Sequence, residues 1–197
     1  YLTDLGSYSE AGKANYDKGN NRNVIVRSCS KSFGGTSDNC TFFYTKQTGS
    51  NFTFIARIYD YRRYDNRADH FGIMIREGLG TGARMIALGL HDVEARYTYL
   101  MPRTKANTSV DNIGGDTHTW NGVWYKLVRK GYTFTAYQCY DGKNWHQIGS
   151  QTIDGFSSIN YLGVYSSRGW DDAPEGSSST GFFDNITITN NTTGTKC

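Results

Sequence analysis

Residues 123–145 read VWYKLVRKGYTFTAYQCYDGKNW. Two strand-length runs, Val123–Arg129 and Thr133–Cys139, flank the turn dipeptide Lys130-Gly131, and a second turn, Asp141-Gly142, follows. Asp-Gly beside such runs is a strong hairpin signal, because tight hairpin turns need positive φ and glycine accepts it. Working outward, similar runs recur at Asn23–Arg27, Cys40–Tyr44, Phe52–Tyr59, Phe71–Arg76, Arg84–His91, Arg96–Met101, His146–Ile153, Asn160–Tyr165 and Phe182–Thr189. Period-two alternation broken by Gly, Asn and Asp turns predicts an all-β fold, a single antiparallel β-sandwich.

Composition agrees. The chain has 197 residues, enough for one domain with a real core. Gly is frequent (23) and Pro rare (2), and aromatic residues make up 15%. Hydrophobic residues at 37% and charged residues at 20% exclude a disordered tail. No window approaches the roughly 18 consecutive apolar residues of a spanning helix. The net charge of +3 is too mild for a dedicated duplex nucleic-acid binder. The opening residues carry no basic and apolar leader pattern, which is compatible with a mature secreted chain. The expected organisation is a sandwich over 1–189 and a terminal tail over 190–197.

The four cysteines, Cys29, Cys40, Cys139 and Cys197, form no CxxC pair. An even count at wide spacing suits disulfides in a secreted or cell-surface protein, with three connectivities open. The expected pairs are Cys29–Cys40, which flank the turn-rich 33–38 stretch, and Cys139–Cys197, which would tie down the tail.

Six stretches, in order, resemble the concanavalin A-like sandwich domains of secreted bacterial carbohydrate-active proteins. They are Asp4-Leu5-Gly6-Ser7 with Ala11-Gly12-Lys13-Ala14; Gly35-Thr36-Ser37-Asp38-Asn39 with Phe42-Phe43-Tyr44; Gly72-Ile73-Met74-Ile75-Arg76-Glu77; Trp124 to Gly131; Phe134-Thr135-Ala136-Tyr137 with Tyr140 to Trp145; and Phe183-Asp184-Asn185-Ile186-Thr187-Ile188. The resemblance implies a jelly-roll sandwich, often carbohydrate-binding and often appended to a polysaccharide-degrading enzyme. It does not imply one ligand. Cys139 stands where the pattern has Ser, and Lys126 where it has Arg.

Catalytic signals are weak. Glycosidases need two carboxyls at a set separation. The Glu-x-Asp-x-x-Glu strand of the glucanases of this fold class is missing, with Asp92-Val93-Glu94 the nearest piece. Glu77 is expected to pair with a neighbouring cation. A lyase needs a base and a group that neutralises the uronate; His91, Arg76, Arg96 and Tyr137 are the right types, but no spacing joins them. Gly-x-Ser-x-Gly, Walker and His-Glu-x-x-His patterns do not occur.

Binding signals are richer. Aromatic faces cover the C–H faces of sugars, and polar side chains bond their hydroxyls. Trp120, at a turn, and Trp170, beside Asp171, are candidate platforms; Trp124 and Trp145 read as support for the sheet. Strand parity turns Ile73, Ile75, Ile86, Leu88 and Leu90 inward, and Met74, Arg76, Ala87, Gly89 and His91 outward. Ala87 and Gly89 would leave a groove. Arg96 lies on the next strand, and Lys126 shares this outward face if Leu127 points inward. With Tyr137, an Arg/His/Lys groove suits an acidic polysaccharide. Residues 57–103 carry eight arginines against six acids, a net of +2, although mixed-sign loops such as 59–67 (YDYRRYDNR) usually just form ion pairs. Asp4 and Asp184, near the two termini, are candidate ligands for calcium. The expectation is a non-catalytic module that binds an extracellular polysaccharide, with a lyase or glycoside hydrolase using the same groove, or a protein-binding adhesion domain, as alternatives.

Overall fold

The computed structural model describes residues 1–17, 23–63, 69–92, 97–117, 122–169 and 176–191. Within them run fourteen strands: β1 (Leu2–Leu5), β2 (Lys13–Tyr16), β3 (Val24–Ser28), β4 (Cys40–Thr48), β5 (Asn51–Arg62), β6 (Asp69–Arg76), β7 (Met85–Asp92), β8 (Tyr97–Arg103), β9 (Ile113–Thr117), β10 (Val123–Lys130), β11 (Thr133–Cys139), β12 (His146–Thr152), β13 (Ile159–Ser167) and β14 (Ser179–Asn190). They form two seven-stranded sheets, ordered β1-β4-β13-β6-β7-β8-β9 and β12-β11-β10-β5-β14-β3-β2. Every described strand pair is antiparallel, as the sandwich reading expects.

The main core lies between the sheets. Ile73, Ile75, Ile86, Leu88, Leu90, Leu162 and Val164 come from the first sheet, and Phe52, Phe54, Ala56, Ile58, Tyr125, Leu127 and Phe134 from the second. Alternate residues on each strand therefore point in, because period two sends successive side chains to opposite faces. A hydrogen bond of 3.0 Å between Thr98 Oγ1 and Tyr125 Oη crosses the core and satisfies both buried hydroxyls.

A second apolar layer covers the outer face of the first sheet. Cys40, Phe42, Met74, Met85, Ala87, Met101 and Tyr165 pack there under Leu5 and Phe33. The covering loops are knitted together by backbone bonds from Asp38 N to Thr81 O (3.0 Å), Asn107 N to Gly82 O (2.8 Å) and Val110 N to Gly34 O (3.1 Å). Cys29, Cys40 and Cys139 are free buried thiols, so the expected Cys29–Cys40 bridge is not formed. Cys40 is consumed by packing beside Leu5 and Phe42, and the Cys29 sulfur turns to the Glu10 carboxylate at 4.0 Å. Cys139 is likewise unbridged, and Cys197 lies outside the described residues.

Candidate functional site

Arg76 and His91 both face outward from the first sheet, as parity predicts, but their fates differ. Arg76 is fully buried. It forms an ion pair with Asp38, which also takes two bonds of 2.6 Å from Arg103. The guanidinium of Arg76 further donates to the carbonyls of Gly78 (3.1 Å) and Gly80 (2.6 Å), and that of Arg103 to Thr108 (2.7 Å) and Gly35 (2.7 Å). Two buried cations thus share one carboxylate, with carbonyl oxygens supplying the remaining acceptors. Arg76 is an anchor for the loops and is not open to a ligand. The groove expected over Ala87 and Gly89 is also filled. Ala87 is fully buried, and the Tyr165 hydroxyl lies 2.6 Å from where a Cβ on Gly89 would stand.

The other end of this face is more open. Cross-strand register sets His70 opposite His91 and His91 opposite Tyr97, with Gly72 opposite Gly89 and Gly89 opposite Tyr99 in the adjoining row. A chain of rings follows: Tyr165–Phe33 at 4.7 Å, Phe33–His70 at 5.4 Å, His70–His91 stacked at 4.2 Å, His91–Tyr99 at 6.0 Å and Tyr99–Tyr97 at 5.7 Å. Tyr165 and His70 are buried, while His91, Tyr97 and Tyr99 are half-buried, so the chain rises from the core to the surface. Three solvent-sealed polar atoms along it, His70 Nδ1, His91 Nε2 and Tyr165 Oη, have no hydrogen-bond partner among the described residues. Burial holds the His70 pKa well below the ordinary histidine value, with His91 adding to the shift, and burial lowers His91 as well. Both imidazoles are therefore neutral near pH 7.

Lys126 and Tyr137 come together, but on the opposite side of the molecule. They are cross-strand partners on the outer face of the second sheet, so Lys126 does not share a face with Arg76. The Lys126 ammonium lies 4.4 Å from the Tyr137 ring centre and 4.0 Å from that of Trp145. Burial lowers its pKa. Trp145 is delivered by the Asp141-Gly142 turn, in which the Asp141 carboxylate accepts bonds from Lys143 N (2.9 Å) and Asn144 N (2.8 Å).

The remaining sequence candidates divide cleanly. Trp120, Arg96, Trp170 and Asp171 lie outside the described residues. Asp4, in the first sheet, accepts from Gly12 N (2.8 Å) and Thr41 Oγ1 (2.6 Å). Asp184, in the second, takes a fork from Arg57 and a bond of 2.9 Å from Asn185. Each carboxylate is taken up by these partners, and no group of three or more potential metal ligands occurs among the described residues. Glu77 is paired with Arg84 at 2.6 and 2.7 Å, as expected for a lone acid beside a cation. His70 was missed by the sequence reading; its signal was the outward parity it shares with Met74 and Arg76.

No family model matches the chain, and no curated protein does. Solved structures do. A functionally unknown protein from Saccharomyces cerevisiae superposes with a TM-score of 0.67 at 16% identity, over 94% of this chain and all of that one. The likeness is one of fold. The same holds for the GH43 BlXynB protein of Bacillus licheniformis, with a TM-score of 0.61 at 12% identity over 85% of this chain but only 33% of that one. The carbohydrate-binding module CBM66 of Bacillus subtilis gives 0.54 at 14% identity, over 96% of this chain and 95% of that one.

Proposed function

We propose that the domain binds an extracellular glycan at the ring-lined end of the first sheet, through His91, Tyr97 and Tyr99, with the buried His70 and Tyr165 supporting them from beneath. The observation that carries this reading is the surface end of the ring chain, where the half-buried rings of His91, Tyr99 and Tyr97 follow one another at 6.0 and 5.7 Å. A neutral imidazole offers one donor and one acceptor, and a sugar hydroxyl can play either role. The half-buried Tyr97 and Tyr99 rings offer faces for the C–H side of a pyranose.

Binding is favoured over elimination by the dispersal of the lyase set. Arg76 is locked on Asp38 and Tyr137 is on the other sheet, so neither joins His91. The proposal carries with it a secreted or cell-surface location.

The test is a glycan array with insoluble-polysaccharide pull-downs across pectins, xyloglucan, mannan and β-glucans, followed by calorimetry on the strongest ligand. His91→Ala and Tyr99→Ala are each expected to weaken binding by about tenfold, the loss of one good hydrogen bond or ring contact. Reducing ends or unsaturated uronates appearing in the mixtures would overturn the non-catalytic reading. Silence on every glycan would favour a protein-binding role.

A further inference from the structure

Across four neighbouring strands of the second sheet, rings and cations alternate on the outer face. Tyr137 on β11 is paired with Lys126 on β10, Trp124 on β10 with Arg57 on β5, and Arg57 with Asp184 on β14. The Arg57 guanidinium lies 5.5 Å from the Trp124 ring centre. The Arg62 guanidinium lies 5.6 Å from the Phe182 ring, which meets Tyr59 at 6.0 Å. Three strand spacings of about 4.8 Å make the strip roughly 14 Å wide, long enough for more than one sugar ring.

The described arginines that serve the fold are supplied with oxygens. Arg57 has Asp184, Arg84 has Glu77, and Arg76 and Arg103 have Asp38. Arg129 lacks an acid but is wrapped by the carbonyls of Gly131, Ser157 and Phe156 and by the Asn160 side chain. Lys126 has neither. Among the described residues its ammonium lies against the Tyr137 and Trp145 rings, with the Cys139 thiol nearby, and no carboxylate or carbonyl takes its N–H donors. Rings hold a cation in place without neutralising it.

We propose that this face is a second binding surface, separate from the ring-lined end of the first sheet, and that it takes an acidic polysaccharide. A uronate ring lies along the Tyr137–Trp145 side of the strip, and its carboxylate accepts from the Lys126 ammonium. Charge selects the ligand here, whereas the histidine pair of the first sheet is neutral. The surface stands on its own observations and does not depend on the reading given above.

The experiment is affinity electrophoresis of the whole chain in gels containing polygalacturonate, with fully methyl-esterified polymer as the neutral control. Wild-type protein is expected to be retarded by the acid polymer alone, and less so as salt is raised. Lys126→Met is expected to weaken retention by about tenfold or more, as loss of a charge-assisted bond does, and Lys126→Arg to preserve it. Circular dichroism checks that both variants are folded. If Lys126→Met is not folded, the salt dependence and polymer selectivity of the wild-type chain decide the matter. Retention unchanged in a folded Lys126→Met, equal retention by the esterified polymer, or no retardation of wild type would each overturn the proposal. Loss in His91→Ala with full retention in Lys126→Met would move acid binding to the first sheet and overturn it equally.

Discussion

Arg76 and Lys126 begin alike. Each is a cation at an outward position of a strand inside its sheet, yet one is sealed and the other is half-open. Over the first sheet, the loops carrying Phe33, Asp38, Leu79 and Val110 fold back and build a second apolar layer. Over this part of the second sheet, the 140–145 turn reaches across, with Gly142 seated 3.3 Å (measured from its would-be Cβ) from the Trp124 indole. Strand parity assigns a face to a side chain. What covers that face decides whether the side chain holds the fold or meets a ligand.

The comparison can be broken most forcefully at Asp38. Asp38→Asn leaves two buried guanidiniums short of their carboxylate and is expected to cost more than about 3 kcal/mol in urea denaturation, the range for breaking a buried pair. Lys126→Met should cost less than about 1 kcal/mol, as loss of an exposed cation–ring contact does. Similar costs for the two would erase the distinction between the faces.

Acid titration gives the next largest effect. His70 and His91 have folded pKa values depressed by burial, so below the ordinary value of about 6.5 the unfolded chain binds protons that the folded chain refuses. Their contribution is intact above that value. As pH falls from it toward the folded values, stability is lost, by up to about 1.4 kcal/mol per pH unit per group. Thermal melts between neutral pH and about pH 5 should therefore fall more steeply for wild type than for His70→Gln. Equal slopes would mean that the pair is not sealed as described.

The smallest effect is the sharpest discriminator. Tyr165→Phe removes a buried hydroxyl that has no partner among the described residues and is expected to stabilise the free protein by about 1 kcal/mol while leaving glycan binding unchanged, because no ligand reaches it. A less stable variant would show the hydroxyl serving the fold instead, and a loss of binding would show the ring chain open to the ligand as far as Tyr165.

Much of the sandwich was legible in the sequence. All eleven alternating runs became strands, and Ile73, Ile75, Ile86, Leu88, Leu90 and Leu127 face the core as their parity predicted. The strands that periodicity missed are β1, β2 and β9, all short and at sheet edges; β9 contains Gly114 and Gly115, both at positive φ, so no alternation marks it. Resemblance alone pointed to β1 and β2. The site was less legible because it depends on register and cover. His91 was chosen for its parity, but its partner His70 emerges only from the β6–β7 pairing. Arg76 was chosen by the same rule, and nothing local announces that Asp38, 38 residues earlier, will bury it.

The free thiols make the two halves of the molecule separately observable in time. Cys40 belongs to β4 of the first sheet and Cys139 to β11 of the second, with Cys29 just beyond β3, and all three are buried. Burial also raises each thiol's pKa, which keeps the reactive thiolate scarce in the closed state. An alkylating reagent can then reach each sulfur chiefly when its surroundings open, so the labelling rate at each position becomes a clock for local opening. Matching rates at Cys40 and Cys139 would mean that the sheets part as one cooperative unit. A faster clock at Cys139 would mean that the second sheet loosens while the loop-bound first sheet stays shut.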